Sequence, residues 1–135
     1  MYKNILVPVL FDEGHDFAAA VEAARTLADD GAAFTVLHIL EDIPQFAMVE
    51  IGEAALEEQR KTVKEQLAKA AEKLAGANPV LVHGHAGRGI VDYATENDVD
   101  CIVMASHQLG FTDIFLGSTA AKVVRHAKCS VHVIR

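Results

Sequence analysis

The run NILVPVLF, Asn4 to Phe11, constrains the fold more than any other segment. It shows no alternation of polar and apolar residues, so a strand made from it is buried on both faces. A strand covered on both sides belongs to a sheet lying between layers of helices. The chain then changes period. Phe17, Ala20, Val21, Ala24, Leu27 and Ala28 share one face of a helix, and Gly31 is placed to stop it.

The same alternation repeats to the C-terminus. Ala33 to Leu40 reads as a second strand, followed by a connection, EDIPQFAMVE, in which Pro44 opposes regular structure. A long helix is expected from about Glu50 to Leu74, with Leu56, Val63, Leu67, Ala70 and Leu74 on one stripe, ended by Gly76, Asn78 and Pro79. Pro79 to Gly84 gives a third strand, and about Gly87 to Asn97 a helix. Asp100 to Ser106 gives a fourth strand, about Ser118 to Ala127 a helix, and CSVHVIR a fifth strand. The fold class is therefore α/β: a single domain over residues 1–135, with a five-stranded parallel sheet and helices on both faces. Ligands of such sheets bind beyond the carboxyl ends of the strands, where the strand order reverses. If the first and fourth strands are central neighbours, that place lies between the segments after Val9 and after Met104.

Composition excludes several partners. The formal net charge is -7, which opposes a nucleic-acid surface. Lys61, Lys64, Lys69 and Lys73 alternate with Glu57, Glu58, Glu65 and Glu72, the pattern of a solvated helix face. No apolar run is long enough to span a bilayer, and the N-terminus lacks the layout of a signal peptide, so a cytoplasmic protein is expected. Cys101 and Cys129 each open an apolar run and read as buried thiols, with a disulfide between neighbouring strands as the alternative.

The segment MASHQLGFTDIFLGSTA, Met104 to Ala120, sits where the ligand is expected. Gly117 precedes a helix whose first turn holds Ser118 and Thr119. Backbone N–H groups at a helix start, reached through small residues, can hold a phosphate. A Ser/Thr cap after a glycine turn explains the same residues without any ligand. Neither a GxxxxGK[ST] nor a GxGxxG pattern is present.

Taken together, YKNILVPV, LHI in the second strand, the glycine, alanine and isoleucine spacing from Gly84 to Ala94, and LGSTAAKVVRHAKCSVHVIR resemble the universal stress protein family. With ASH at the fourth strand, the chain is most similar to the UspF/UspG-like branch. The resemblance spans essentially all 135 residues. It implies a Rossmann-like, adenine nucleotide alpha-hydrolase-like sheet in the order 3-2-1-4-5. It also implies ATP or another adenine nucleotide as ligand, with Mg²⁺ as an optional companion. The base would lie against Pro8, Val9, Ile39 and Met104, with Leu10 beside it. The ribose would meet Ala105, His107 and Gln108, and the phosphates Gly117, Ser118 and Thr119. Nucleotide-binding members carry G-x2-G-x9-G-[ST]. Here Ala105 and Gln108 replace the first two glycines, and the spacer is one residue shorter. Leu10 replaces a common aspartate, and Asp12 follows two residues later. The family dimerises through its last strand, which implies a homodimer through SVHVIR.

Other residues weigh less. His83 and His85 point to one side but complete no zinc spacing. His38 and His132 fall inside strands and read as packed or interfacial. His126, with Arg125 and Lys128, suits a helix C-terminus. Ser106 and His107 lack a G-x-S-x-G elbow. GHAGRG, Gly84 to Gly89, offers a second phosphate loop with Arg88 as its cation. The expected function is an adenine-nucleotide-binding, dimeric stress-response sensor or adaptor that is not an enzyme beyond weak ATP hydrolysis, with a protein partner left open. The alternative is a dimeric interaction module that binds no nucleotide.

Overall fold

The computed structural model describes residues 1–10, 17–106 and 116–135. Five strands are present: β1 (Tyr2–Pro8), β2 (Ala28–Leu40), β3 (Asn78–His83), β4 (Cys101–Ala105) and β5 (Ser130–Ile134). Five described helices separate them: α1 (Phe17–Leu27), α2 (Gln45–Ile51), α3 (Glu53–Glu72), α4 (Ala86–Glu96) and α5 (Ser118–His126). The strands form one sheet in the order β3-β2-β1-β4-β5, and every pair is parallel. The expected topology is therefore the observed one.

Alternate residues of each strand serve opposite layers. Ile5, Val7 and Val9 of β1 join Val36, Cys101 and Val103 beneath α1 and α3. Leu6, Leu37, Ile102 and Met104 face the other way, beneath α4 and α5. The unbroken apolar run is thus a strand with a core on each side. On α3, Leu67 and Ala70 are buried while Lys61, Lys64 and Lys69 are exposed, as the interleaved charges required.

Three local expectations are corrected. Gly31 does not end α1. That helix stops at Leu27, and Gly31, at φ 77°, lies within β2. The β1–β2 register shifts there, from Tyr2↔Ala28 to Asn4↔Ala33, and the left-handed glycine absorbs the extra residues. Pro44 does not oppose regular structure. It is the N-cap of α2, where the missing N–H costs nothing. A helix, α2, occupies most of the segment expected to be a connection, and Gly52, at φ 82°, separates it from α3, which starts at Glu53 rather than about Glu50.

The N-terminal end of β1 is fastened by Asp100. Its carboxylate accepts the N–H groups of Lys3 at 2.8 Å and Asn4 at 3.0 Å. The Asn4 amide donates in turn to the carbonyls of Asn97 and Asp98. Replacing Asp100 by alanine strips two backbone donors of their acceptor. Urea denaturation is expected to record a loss of about 1–2 kcal/mol, and an unchanged midpoint would refute the clamp.

Both cysteines are free thiols. Burial pushes the Cys101 thiol up to about 11, with Cys129 and Asp100 adding to the shift; burial raises Cys129 as well. The folded chain holds the Cys101 proton up to that value, whereas the unfolded chain releases it from 9.0. Above pH 9 the unfolded state binds fewer protons, so this group's contribution to stability is lost as pH rises through the window. Cys101, 1% exposed, is expected to resist a thiol reagent such as DTNB at pH 8 until the chain is unfolded. Two equivalents released at once from native protein would contradict this.

Candidate functional site

The sheet opens where the strand order reverses. Pairing between β1 and β4 is limited to Ile5↔Cys101 and Leu6↔Ile102. Beyond Leu6, β1 remains tied to β2 as far as Pro8↔Leu37, and Val9 donates to the Leu37 carbonyl at 2.8 Å. β4 meanwhile stays with β5 as far as Ala105↔Ile134. The two central strands therefore part at their carboxyl ends. Pro8, with no N–H to offer, sits at that parting.

The parting forms a cleft lined by Pro8, Val9, Leu10, Met104 and Ala105, with Phe17 and Ala20 of α1 on its wall. Five expected site residues are thus brought together. The cleft is shallow, with a cavity volume of about 20 Å³, and is open to solvent. Its described lining is apolar and carries no carboxylate. Ile39 is not part of it. It is buried with Met104, Ile90 and Ala120 in the layer under α4. His107 and Gln108, and with them Asp12, lie outside the described residues.

The start of α5 is held beside this cleft by a contact that the sequence reading missed. Ser106 directly follows β4, and its N–H donates to the Ile134 carbonyl at 2.8 Å. Its hydroxyl oxygen accepts the Gly117 N–H at 3.0 Å. The bond joins residues 11 apart, the two ends of the segment between β4 and α5. Ser106 is 8% exposed. Its signal in the sequence was a small polar residue closing an apolar strand, which was weighed only as a nucleophile.

Gly117 is the N-cap of α5, and no side chain caps the helix. Its carbonyl accepts the N–H of Ala121, the first intrahelical bond. The N–H groups of Ser118, Thr119 and Ala120 therefore have no intrahelical acceptor. They sit at the positive end of the helix dipole, with the Ser118 side chain exposed and that of Thr119 half-buried. An anion meeting this end finds donors without an intrahelical acceptor and a favourable field. Gly117 itself has spent its N–H on Ser106, so it spaces and positions the helix start but does not donate there.

His38 braces the other rim. Its Nδ1 lies 2.7 Å from the Val9 carbonyl. A carbonyl only accepts, so Nδ1 carries the proton, and the ring ties β2 to the end of β1. His38 is half-buried, a structural rather than a reacting group.

GHAGRG is not a loop. β3 ends at His83, and His85 is the N-cap of α4, so Gly87 and Gly89 lie inside the helix. They permit close approach. A Cβ on Gly89 would stand 2.8 Å from Cδ1 of Ile39, and one on Gly87 would stand 2.7 Å from Cδ of Lys122. Arg88 is exposed and lies 3.7 Å from Asp92 on the same helix. His83 and His85 are exposed, and no group of three or more metal-binding side chains occurs among the described residues.

A roomier cavity of about 340 Å³ lies at the ends of β2 and β3, lined by Leu40, Ile43, Met48, Leu56, Arg60 and His83 among others. Its lining also carries the acids Glu41 and Asp42, which oppose an anion. The β1–β4 cleft, beside the open end of α5, is the better candidate for a phosphorylated ligand.

Known proteins share this fold. The chain is 33% identical over 142 residues to a universal stress protein of Thermus aquaticus, covering 100% of both chains. It is 30% identical over 147 residues to universal stress protein G of Escherichia coli O157:H7, again covering 100% of both. A universal stress protein of Archaeoglobus fulgidus, solved in complex with dAMP, has the same fold with a TM-score of 0.64 at 24% identity, covering 99% of this chain and 98% of that one. The model of the universal stress protein family matches residues 1–135. From its first residue to its last, the chain belongs to the universal stress protein family.

Proposed function

We propose that the chain binds an adenine nucleotide across the β1–β4 cleft and works as a dimeric sensor or adaptor, not as an enzyme. The observation that carries the reading is the junction of two features. An apolar cleft opens at Pro8, Val9, Met104 and Ala105, and the start of α5, whose first N–H groups lack an intrahelical acceptor, is held beside it by Ser106. The apolar strand ends suit a base, and the N–H groups of Ser118 and Thr119, with their hydroxyls, suit phosphate oxygens. His107 and Gln108 are the proposed ribose contacts. The dAMP held by the similarly folded Archaeoglobus fulgidus protein supports the ligand class.

The fit to Mg²⁺ is poor. Leu10 lines the cleft where a carboxylate would serve a cation, and the described lining offers no other acid. With no base, metal ligand or arginine assigned, hydrolysis is not part of the proposal. Mass spectrometry of denatured purified protein tests the ligand class. Co-purified AMP, ADP or ATP supports it, and a clean spectrum favours a module that binds no nucleotide, the reading to which Leu10 and Ala105 lean.

The dimer is proposed through β5, an edge strand of the sheet. Val131, Val133 and Ile134 are half-buried there and His132 is exposed. A bare apolar edge invites antiparallel pairing with its copy. Sedimentation showing only monomer at tens of micromolar (about 50 µM) would remove this part of the proposal.

A further inference from the structure

Helix α2 is apolar and almost uncovered. None of its seven residues is buried. Phe46 is 77% exposed and Val49 81%, one turn apart on one face, while Met48 and Ile51 are 44% and 47% exposed. Single exposed apolar residues are ordinary, but four within seven residues form a patch. Helix propensity does not ask for Phe, Val and Ile at exposed positions.

Along the chain the patch is flanked by acids, with Arg60 and His83 at the cavity beside it. From Glu41 to Gln59 there are six carboxylates, Glu41, Asp42, Glu50, Glu53, Glu57 and Glu58, and no lysine or arginine. All six are exposed. Arg60 answers only one of them, Glu57, at 2.9 Å. The cavity beneath α2, reached past Met48, offers apolar walls in Leu40, Ile43 and Leu56.

We propose that the outer face of α2 and the mouth of this cavity dock a basic, amphipathic helical segment of a partner protein. Apolar side chains of the partner would cover Phe46 and Val49, and its lysines or arginines would meet the flanking carboxylates. The sign of these acids selects this occupant. A second copy would bring six like charges against six, and an anionic bilayer would be repelled. This surface is independent of the nucleotide cleft, so the test is made without nucleotide.

The probe is a fluorescent amphipathic Leu/Lys helix of about 18 residues, titrated by anisotropy. Controls of equal length are a Leu/Glu helix and a Lys/Ser peptide with no apolar face. Wild-type protein is expected to bind the Leu/Lys probe in the micromolar range, about 10 µM, and neither control. The double variant Phe46→Ser/Val49→Ser should bind at least about 10-fold more weakly, and Glu50→Lys/Glu53→Lys at least about 5-fold. Equal binding of the Lys/Ser peptide reduces the surface to charge alone and overturns the proposal, as does unchanged affinity in Phe46→Ser/Val49→Ser. A changed sedimentation coefficient in that variant assigns the patch to a second copy, and pelleting of wild type alone with phosphatidylglycerol vesicles assigns it to lipid. A melting temperature lowered by several degrees (about 5 °C), or loss of the fold, shows that the chain covers the patch itself. Each of these three also overturns the proposal.

Discussion

Replacing Gly117 by valine is expected to abolish nucleotide binding while leaving the fold intact. The two halves of that expectation come from one backbone. Gly117 stands at φ -60°, ψ 156°, a conformation open to every L-residue and favourable to β-branched ones. Its N–H bond to Ser106 and its carbonyl bond to Ala121 do not involve a side chain. Nothing in the helix cap therefore requires glycine. What valine adds is bulk at the point where phosphate must approach the N–H groups of Ser118 and Thr119. Affinity should fall at least about 100-fold, or roughly 2.7 kcal/mol, with a thermal midpoint near that of wild type. Unchanged affinity would place the phosphates elsewhere. A variant that no longer folds would refute the claim that the glycine serves the ligand.

Leu6→Ala should have the largest effect on stability. Leu6 is 0% exposed in the central strand, paired with Thr35 of β2 on one side and Ile102 of β4 on the other. Its side chain lies in the layer beneath α4 and α5, with Leu37 and Ile102. Strands pinned on both flanks cannot move in to fill the space. The cavity term therefore adds to the lost transfer energy, and the loss should reach about 3–5 kcal/mol. That is a large share of the ~5–15 kcal/mol that holds a domain folded. Urea titration gives the number, and a loss below about 1 kcal/mol would mean that the layer collapses around the gap.

The fold class was legible because burial on both faces writes itself into β1 and β4 as apolar runs. The strand order came from the family resemblance. The errors gathered where glycine and proline act by backbone angle, which their identity alone does not disclose. Gly31 was read as a stop and is a bulge, and Pro44 was read as a breaker and starts a helix. Gly87 and Gly89 resembled a phosphate loop, but they let α4 approach Ile39 and let Lys122 of α5 approach α4. The candidate site was legible in its strand-end residues and in the start of α5. Pro8, Val9, Leu10, Met104 and Ala105 share one cleft. Ile39 does not line that cleft; its side chain packs against Gly89 of α4. Ser106 was missed because its role is a hydrogen bond to a residue 11 positions away, and no local pattern encodes such a bond. The exposed face of α2 was hidden inside a segment read as a plain connection.

The central claim is that an adenine nucleotide occupies the β1–β4 cleft with its phosphates on α5. Isothermal titration with AMP, ADP and ATP, each with and without Mg²⁺, tests it most directly. Saturable heat is predicted for at least one of the three. Because Leu10 lines the cleft and its described residues include no metal-binding acid, affinity should change less than about 3-fold when Mg²⁺ is removed. No heat from any of them at about 1 mM nucleotide would contradict the account.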